Sequence, residues 1–328
     1  MAMKRRKFIQ LLGSAAASWP LAARAQSPAA PVIGFLDSRS PEAVENRLRG
    51  FRQGLIDAGY VEGENITILY RWADDRLERL PLLAAELVGR SVAAIVTAGP
   101  TTSLAAKAAT TTIPIVFVVG SDPVDLGLSK SLSRPSGNLT GIDIFTSELV
   151  AKRLEVLRDL LPKATRMGVL VNPADPVTDN QLKELDAAAR AMGLQIKVHN
   201  ADTRAEIDVA FEAMGRDQPD AVFVGSTAFL NGRRVQLAHL STYYRLPAIY
   251  PLREFVEVGG LMSYGSDIID SYRQAGRYVG RILKGAKPAE LPIVKAAKFE
   301  LVINAQTARM LGLTVPSSLL SRADEIID

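Results

Sequence analysis

The sequence predicts an α/β fold of two doubly wound lobes, each built on a parallel sheet, with a hinge between them. First, apolar strands and amphipathic helices alternate from residue 32 onwards, which is typical of parallel sheets covered by helices on both faces. Second, the order of elements in the first half recurs in the second half, as in a duplicated fold. Third, a length of 328 residues suits two lobes of about 100–150 residues each.

The elements of the first half follow the order of one doubly wound lobe. An apolar strand at 32–36 leads across a polar loop to an amphipathic helix at 42–58, which Gly59 ends as a glycine C-cap. The elements that follow are a strand at 65–71, a helix at 77–88, a strand at 92–98, a helix at 102–109 and a strand at 113–119. Residues 137–141 open one more strand, and a long helix at 148–161 comes after it.

The second half repeats this order, and IPIVF from Ile113 corresponds to LPAIY from Leu246. Its elements are a strand at 167–171, a helix at 179–191, a strand at 194–199, a helix at 204–214, a strand at 221–225, a helix at 231–243, a strand at 246–250, a strand opened by 259–263 and a long helix at 268–283. We therefore expect one lobe over 31–145, completed by part of the C-terminal segment, and a second lobe over 146–265. The C-terminal helix and a return segment across the hinge would occupy 266–328. The alternative is one long open sheet without a hinge.

Residues 1–25 are typical of a cleaved export signal. A basic stretch at 4–7 precedes an apolar run at 8–18, and small residues end at Ala25. The apolar run is about half of the roughly 20 residues that span a bilayer, so we expect no membrane anchor. The string RRKFI from Arg5 resembles the twin-arginine signal, and the general secretory route is the alternative. Because the sequence has no cysteine to carry a lipid, we expect the mature protein to be soluble in the periplasm.

The charge balance argues against a nucleic-acid-binding protein. The formal net charge is +4, but five of the 39 Lys and Arg residues lie in 1–25, which contain no acidic residue. Beyond residue 25, 34 basic residues stand against 35 acidic ones, which gives a net charge of −1. The basic excess therefore belongs to the export signal and gives no reason to expect nucleic acid as a partner.

The sequence lacks the common motifs of catalysis and cofactor binding. The segment after the first strand reads GFLDSRSP from Gly34, which is not the G-x-G-x-x-G of a dinucleotide site. Neither a P-loop nor a G-x-S-x-G nucleophile motif occurs. His199 and His239 are the two histidines, and neither has a second histidine at metal-binding spacing. We therefore expect no enzyme, no cofactor and no metal site.

Candidate binding residues lie in the loops that follow the strands, because ligands of doubly wound sheets bind beyond the carboxyl ends of the strands. They are Ser38, Gly99, Thr101, Thr102, Ser121, Asp122, Phe145, Asn172, Ser226, Thr227, Tyr250, Tyr264 and Asp267. The free N–H groups at the start of the helix at 102–109 suit a carboxylate, with Thr101 or Thr102 as the N-cap. Asp122 and Asp267 offer acceptors for an ammonium group, and the alternative for both is helix capping. The aromatic residues supply an apolar wall or, alternatively, fill the core.

Six strings in matching order resemble one known family. They are GYVEGENITILYR from Gly59, IPIVF from Ile113, SDPV from Ser121, RPSGNLTG from Arg134, GVLVNP from Gly168 and SYGSD from Ser263. The family is that of ABC-importer substrate-binding proteins, which includes tryptophan- and tyrosine-binding members, and the resemblance extends from Pro31 to Pro316. It implies a type I periplasmic-binding-protein fold with three hinge crossings and no catalysis.

The resemblance also implies where the ligand lies. The ligand would be clamped between the loops at 99–103 and 121–123 of one lobe and the Asn172 and Ser226-Thr227 loops of the other. The sequence departs from the family at Gly99-Pro100-Thr101, where the family has Gly-Thr-Pro, and at residues 143–145, where the family has small or polar residues. Because both departures would lie at the cleft, the identity of the ligand is not carried over.

These observations predict the periplasmic solute-binding protein of an ABC importer. It would bind a small organic molecule that carries a carboxylate, such as an amino acid, in the cleft between the lobes. We expect a monomer whose partners are the ligand and the membrane permease. Two alternatives remain, namely a periplasmic ligand-sensing protein of the same fold that docks on a signalling receptor, and an exported enzyme on a doubly wound scaffold.

Overall fold

The computed structural model describes residues 30–135, 137–146 and 149–328, so the predicted export signal at 1–25 lies outside the described residues. The strands are β1 (Val32–Asp37), β2 (Thr67–Trp72), β3 (Ala94–Ala98), β4 (Ile115–Val119), β5 (Leu139–Asp143), β6 (Arg166–Val171), β7 (Gln195–Asn200), β8 (Ala221–Val224), β9 (Ala248–Tyr250), β10 (Met262–Ser266), β11 (Val294–Lys295), β12 (Phe299–Asn304) and β13 (Glu325–Ile327). The α-helices are α1 (Glu45–Asp57), α2 (Leu80–Gly89), α3 (Pro100–Ala109), α4 (Val150–Leu160), α5 (Thr178–Ala191), α6 (Arg204–Asp217), α7 (Ala228–Gly232), α8 (Arg234–Tyr243), α9 (Arg253–Val256), α10 (Ile268–Leu283), α11 (Ala305–Met310) and α12 (Ser317–Leu320). Short 3-10 helices form at Glu42–Val44, Leu77–Arg79 and Pro288–Glu290.

The strands form two sheets, one in each lobe. The first sheet has the order β11-β5-β4-β3-β1-β2, and the second has the order β13-β12-β10-β9-β8-β6-β7. The sequences β2-β1-β3-β4-β5 and β7-β6-β8-β9-β10 are the same doubly wound order, which agrees with the predicted duplication. All pairings are parallel except that of β10 with β12. The predicted parallel sheets are confirmed, and the antiparallel partner β12 belongs to the C-terminal return segment rather than to the alternating strands and helices from which they were predicted.

The C-terminal segment serves both lobes. Helix α10 packs along α1 of the first lobe, where β11 also extends the first sheet beside β5. Glycines allow the close contact of the two helices, because a Cβ atom on Gly54 would overlap the carbonyl oxygen of Arg273 and one on Gly276 would overlap that of Phe51. Strands β12 and β13 then return to the second sheet.

The chain crosses between the lobes three times, between β5 and α4, between β10 and α10 and between β11 and β12. These connections lie side by side. The amide of Asp267 donates to the carbonyl oxygen of Lys298 at 3.2 Å, and the amide of Ala296 donates to that of Asp143 at 2.7 Å. The Ser266 hydroxyl donates to the carbonyl oxygen of Ile144. Three adjacent connections of this kind form a hinge across which the lobes can rotate.

Among the described helices, none combines the length and the apolar character that a membrane crossing requires.

Candidate functional site

Two adjoining cavities lie between the lobes, beyond the carboxyl ends of the strands. The inner cavity has a volume of about 50 Å³, and the outer cavity one of about 210 Å³. Both cavities touch Gly99 and Pro100 of the first lobe and Asp175 and Ala228 of the second. They therefore form one continuous site that both lobes build.

Eight of the predicted site residues line these cavities. Ser121, Ser226 and Thr227 line the inner cavity, Gly99 lines both, and Ser38, Thr101, Thr102 and Asn172 line the outer one. All eight lie in loops or helix starts directly after a strand. These positions agree with the rule that ligands of doubly wound sheets bind beyond the carboxyl ends of the strands.

The predicted capping role of the two threonines was wrong. Helix α3 begins at Pro100, and its N-cap is Gly99 at φ 93° and ψ 161°, a conformation that is available to glycine. Proline suits the first helical position because its φ is fixed and its missing N–H would have had no partner there. Thr101 and Thr102 therefore lie inside the first turn, where Thr102 is only 1% exposed.

Two of the predicted acids do not line either cavity. The Asp122 carboxylate accepts a hydrogen bond from the amide of Val124 at 2.7 Å. Asp267 caps α10 by accepting from the amide of Asp270 at 3.0 Å and forms an ion pair with Lys298 at 3.0 Å. Helix and turn capping, the alternative considered for both residues, accounts for these positions.

Three predicted aromatic residues also lie outside the cavities. The fully buried Tyr250 donates from its hydroxyl to Ser241 at 2.8 Å and stacks on Phe255 at 4.6 Å between centroids, which places it in the core. Tyr264 packs against the core of the second lobe. Phe145, at φ 56°, lies in the hinge, where its ring centroid is 6.0 Å from that of Phe299. In this closed arrangement, these side chains belong to the core and the hinge.

A buried arginine stands at the inner cavity. Arg39, 2% exposed, donates from Nε and Nη2 to the Asp37 carboxylate at 2.8 and 2.7 Å and from Nη2 to the Tyr272 hydroxyl at 3.3 Å. Burial alone would lower the pKa of Arg39, but the charges and hydrogen bonds of Asp37 and Tyr272 together outweigh burial and raise that pKa. Among the described residues, none accepts a hydrogen bond from Nη1. The guanidinium is therefore held in place with one donor nitrogen left for an anionic group.

A buried carboxyl group borders both cavities. Asp175 is 8% exposed and accepts a hydrogen bond from the amide of Val177 at 3.2 Å. Burial raises the pKa of Asp175 to about 6, against the smaller opposite effect of that hydrogen bond. Within the described residues, no Lys or Arg forms an ion pair with it. A buried carboxylate without a cationic partner can accept hydrogen bonds from the ammonium group of a ligand.

Further polar atoms of the cleft lack protein partners. The hydroxyl of Thr146 and the amide oxygen of Asn231 at the inner cavity, and the hydroxyl of Thr102 at the outer cavity, make no hydrogen bond among the described residues. Leaving a buried polar group unpaired costs about 1–3 kcal/mol. These three side chains, on the hinge and on both lobes, are therefore suited to hydrogen bonds with a bound polar molecule.

Ion pairs join the lobes beside the cavities. Arg47 of α1, which lines the inner cavity, donates from Nε to the buried Glu254 of α9 at 3.1 Å. Burial alone would raise the pKa of Glu254, but the charge and hydrogen bonds of Arg47, together with the charges of Arg234 and Arg39, lower it below its ordinary value. Arg233 pairs with Asp75 at the outer cavity. The structure therefore has the two lobes closed on each other.

Sequence reasoning missed Arg39 as a site residue, and it also missed Asp175. Arg39 lies in the loop that follows the first strand, and Asp175 lies in the same loop as Asn172. Their position after a strand was a signal that could have found them. Their burial, which distinguishes them from the exposed charges nearby, arises from the opposite lobe and has no local signature.

Comparison with known proteins gives a family match over both lobes. The sequence model of the family described as ABC transporter substrate binding protein matches residues 33–327. The tyrosine-binding protein of Clostridioides difficile (strain R20291) is 26% identical over 281 residues, which are 86% of this chain and 81% of that relative.

Solved structures are similar over nearly the whole described chain. A conserved domain protein from Vibrio cholerae O1 biovar El Tor has a TM-score of 0.85 at 27% identity, over 90% of this chain and 99% of that one. The ABC domain from Streptococcus pneumonia in complex with L-Trp has a TM-score of 0.82 at 24% identity, with the same coverage. The similarity includes both lobes and the hinge connections between them.

Proposed function

Because the chain belongs to the ABC transporter substrate binding protein family and has the predicted type I periplasmic-binding-protein fold, we propose that it is the ligand-capturing protein of an importer. It binds an amino acid in the cleft between the lobes and delivers it to the permease in the membrane. The relatives named for tyrosine and L-Trp support the amino acid as the class of ligand.

The observation that carries this proposal is the pair of buried charges at the inner cavity. The Nη1 donor of Arg39 suits the carboxylate of an amino acid, and the carboxyl group of Asp175 suits its ammonium group. Thr146 and Asn231 add hydrogen-bonding groups at the same cavity. The first lobe thus binds the carboxylate of the amino acid through Arg39, and the second lobe binds its ammonium group through Asp175.

This division of charges couples binding to closure. A ligand that touches Arg39 and Asp175 together contacts both lobes in the closed arrangement, and it loses one of the two contacts when the lobes separate. Differential affinity of this kind shifts the population towards the closed form. The closed protein then presents both lobes to the permease, and reopening releases the amino acid.

Calorimetric titration of the mature protein tests the proposal. We expect free amino acids to bind, while the matched N-acetyl and methyl ester derivatives, which lack the ammonium or the carboxylate, bind at least tenfold more weakly. A ligand at one hundred times its Kd adds about 2.7 kcal/mol to the free energy of unfolding, so thermal shift provides an independent check. Equal binding of an amino acid and both derivatives would contradict the assignment of the two charged ends.

The affinity is expected to fall at acidic pH. Binding of an ammonium group requires the ionised form of Asp175, whose pKa in the free protein is about 6. Affinity is therefore complete above that pKa, and it falls about tenfold between pH 7.5 and pH 5 as the carboxyl group takes up a proton. Burial raises the pKa of Asp75 as well, and protonation of Asp75 weakens its pair with Arg233, which acts in the same direction. Calorimetric titration at several pH values between 5 and 7.5 measures this change. A constant affinity over that range would contradict the role of Asp175.

We also propose export to the periplasm, as the first 25 residues predict. The mature chain is expected to begin near Gln26, and N-terminal sequencing of a periplasmic fraction tests this. If the twin-arginine route is used, replacing Arg5 and Arg6 together by Lys blocks export. A chain that keeps Met1 in the periplasmic fraction would refute cleavage, and unchanged export of the double variant would refute the twin-arginine route.

A further inference from the structure

The outer and inner cavities differ in the charge of the residues that line them. Among the described residues that line the outer cavity, four are acidic, namely Asp75, Glu78, Asp175 and Asp202, and none is Lys, Arg or His. The inner cavity, by contrast, is lined by Arg39 and Arg47 along with Asp175. The site therefore becomes more negative from its inner to its outer end.

Most of this negative charge is not neutralised by the protein. Arg233 pairs with Asp75. Over the described ranges, no ion pair involves Glu78 or Asp202. The carboxylate of Glu206 lies beside Asp202 and accepts a hydrogen bond from its amide at 2.8 Å, which adds negative charge at that point. A neutral side chain in the outer cavity would leave these carboxylates unpaired.

The two unpaired acids come from opposite lobes. Glu78 lies in the 3-10 helix Leu77–Arg79 of the first lobe, and Asp202 follows β7 of the second lobe. The lining of the same cavity also contains the apolar residues Leu77, Pro100 and Phe229. This arrangement suits a flexible apolar chain that ends in a group with positive charge.

A buried polar side chain independently indicates a ligand at this cavity. Thr102 lines the outer cavity, is 1% exposed, and its hydroxyl has no hydrogen-bond partner among the described residues. A buried hydroxyl requires a partner to offset its lost hydration. The outer cavity is thus built to contact a polar ligand as well as to carry acidic residues.

From these observations we propose that the ligand is an amino acid with a second cationic group at the end of a flexible side chain, that is, a basic amino acid. This inference rests on the proposed function, since it uses Arg39 and Asp175 for the carboxylate and the α-ammonium group. The side chain extends into the outer cavity of about 210 Å³, along Leu77 and Phe229, and its cationic end lies near Glu78 and Asp202.

Isothermal titration with lysine and norleucine tests the inference, because the two differ by the terminal amino group alone. Lysine is expected to bind at least tenfold more tightly than norleucine, and arginine at least tenfold more tightly than neutral citrulline. The preference should diminish between 50 and 500 mM salt, because the carboxylates at the cavity mouth are open to solvent and their attraction is screened. Tyrosine and tryptophan serve as the aromatic comparison.

Charge-removing variants locate the preference in the outer cavity. The double variant Glu78→Gln with Asp202→Asn is expected to lose at least fivefold in lysine affinity and to keep its norleucine affinity within twofold. The double variant Asp125→Asn with Glu290→Gln removes two exposed acids that line neither cavity. It controls for the same change in net charge and should leave both affinities unchanged.

The outcomes separate this inference from the proposed function. Norleucine, tyrosine or tryptophan binding as tightly as lysine would overturn the inference while supporting an amino-acid-binding protein. If none of these amino acids binds, both the inference and the proposed function fail. An equal loss of lysine affinity in the double variant Asp125→Asn with Glu290→Gln would attribute the preference to net charge and overturn the role of the outer cavity.

Discussion

Replacing Asp175 by Asn is expected to weaken the binding of an amino acid by about 10- to 150-fold. The change removes the charge that pairs with the ammonium group and keeps the shape and the acceptor for the Val177 amide. Hydrogen bonds to charged groups contribute about 1.5–3 kcal/mol, which corresponds to that range of affinity. Because a neutral amide is less costly to bury than a carboxylate, the ligand-free variant should be at least as stable as the parent protein to thermal unfolding.

The matched control for this variant is Asp122→Asn. Asp122 also follows a strand and also accepts from a backbone amide two residues later, but it does not line either cavity. Its affinity should stay within twofold of the parent value. A similar loss in both variants, or no loss in Asp175→Asn, would remove Asp175 from the site.

Breaking the buried ion pair between Arg47 and Glu254 is expected to have the largest effect. The partners come from different lobes, so both side chains regain water when the lobes separate. Removing one partner from a buried pair costs about 3–5 kcal/mol, and here this cost falls on the closed form alone. Glu254→Gln should therefore lower ligand affinity by about 100-fold or more. X-ray scattering at a ligand concentration that saturates the parent should show a larger radius of gyration for the variant.

Two further variants identify the cause of this effect. Arg47 lines the inner cavity, whereas Glu254 does not. A loss of ligand affinity in Glu254→Gln therefore cannot come from a lost contact between Glu254 and the ligand. The double variant Arg47→Met with Glu254→Met should recover much of the affinity, because it leaves no unpaired buried charge. Arg216→Met breaks an exposed pair with Glu212 and should change stability by at most about 0.5 kcal/mol. Normal affinity and closure in Glu254→Gln would show that this pair does not control the hinge.

The secondary structure could be predicted because its signals are local. The helix expected at 268–283 has these bounds in the structure, where Asp267 caps its start. The antiparallel pairing of β12 with β10 could not be predicted, since strand direction in a return segment depends on the path of the chain through space. The positions of the loops that form the cleft could also be predicted, because each loop follows the end of a predicted strand.

It was harder to predict which side chains of those loops line the cleft. Tyr250 and Tyr264 were expected at the cleft because each ends or lies near the end of a strand, yet the alternation of side chains along a strand directs one face to the core. Asp267 and Asp175 are both acids after a strand, and the sequence gives no sign that the first caps a helix while the second is buried between lobes. That difference depends on segments that are distant in the sequence, such as those of Gly99 and Asp175, which line the same two cavities.

The glycine contact between α1 and α10 also determines how this protein can move. Helix α10 begins one residue after the hinge at Asp267, and α1 carries Arg47 to the inner cavity. Since the backbones of the two helices touch at Gly54 and Gly276, neither helix can slide along the other without a steric overlap. We therefore expect α1 and α10 to move together when the lobes separate, so that opening of the cleft also separates Arg47 from Glu254.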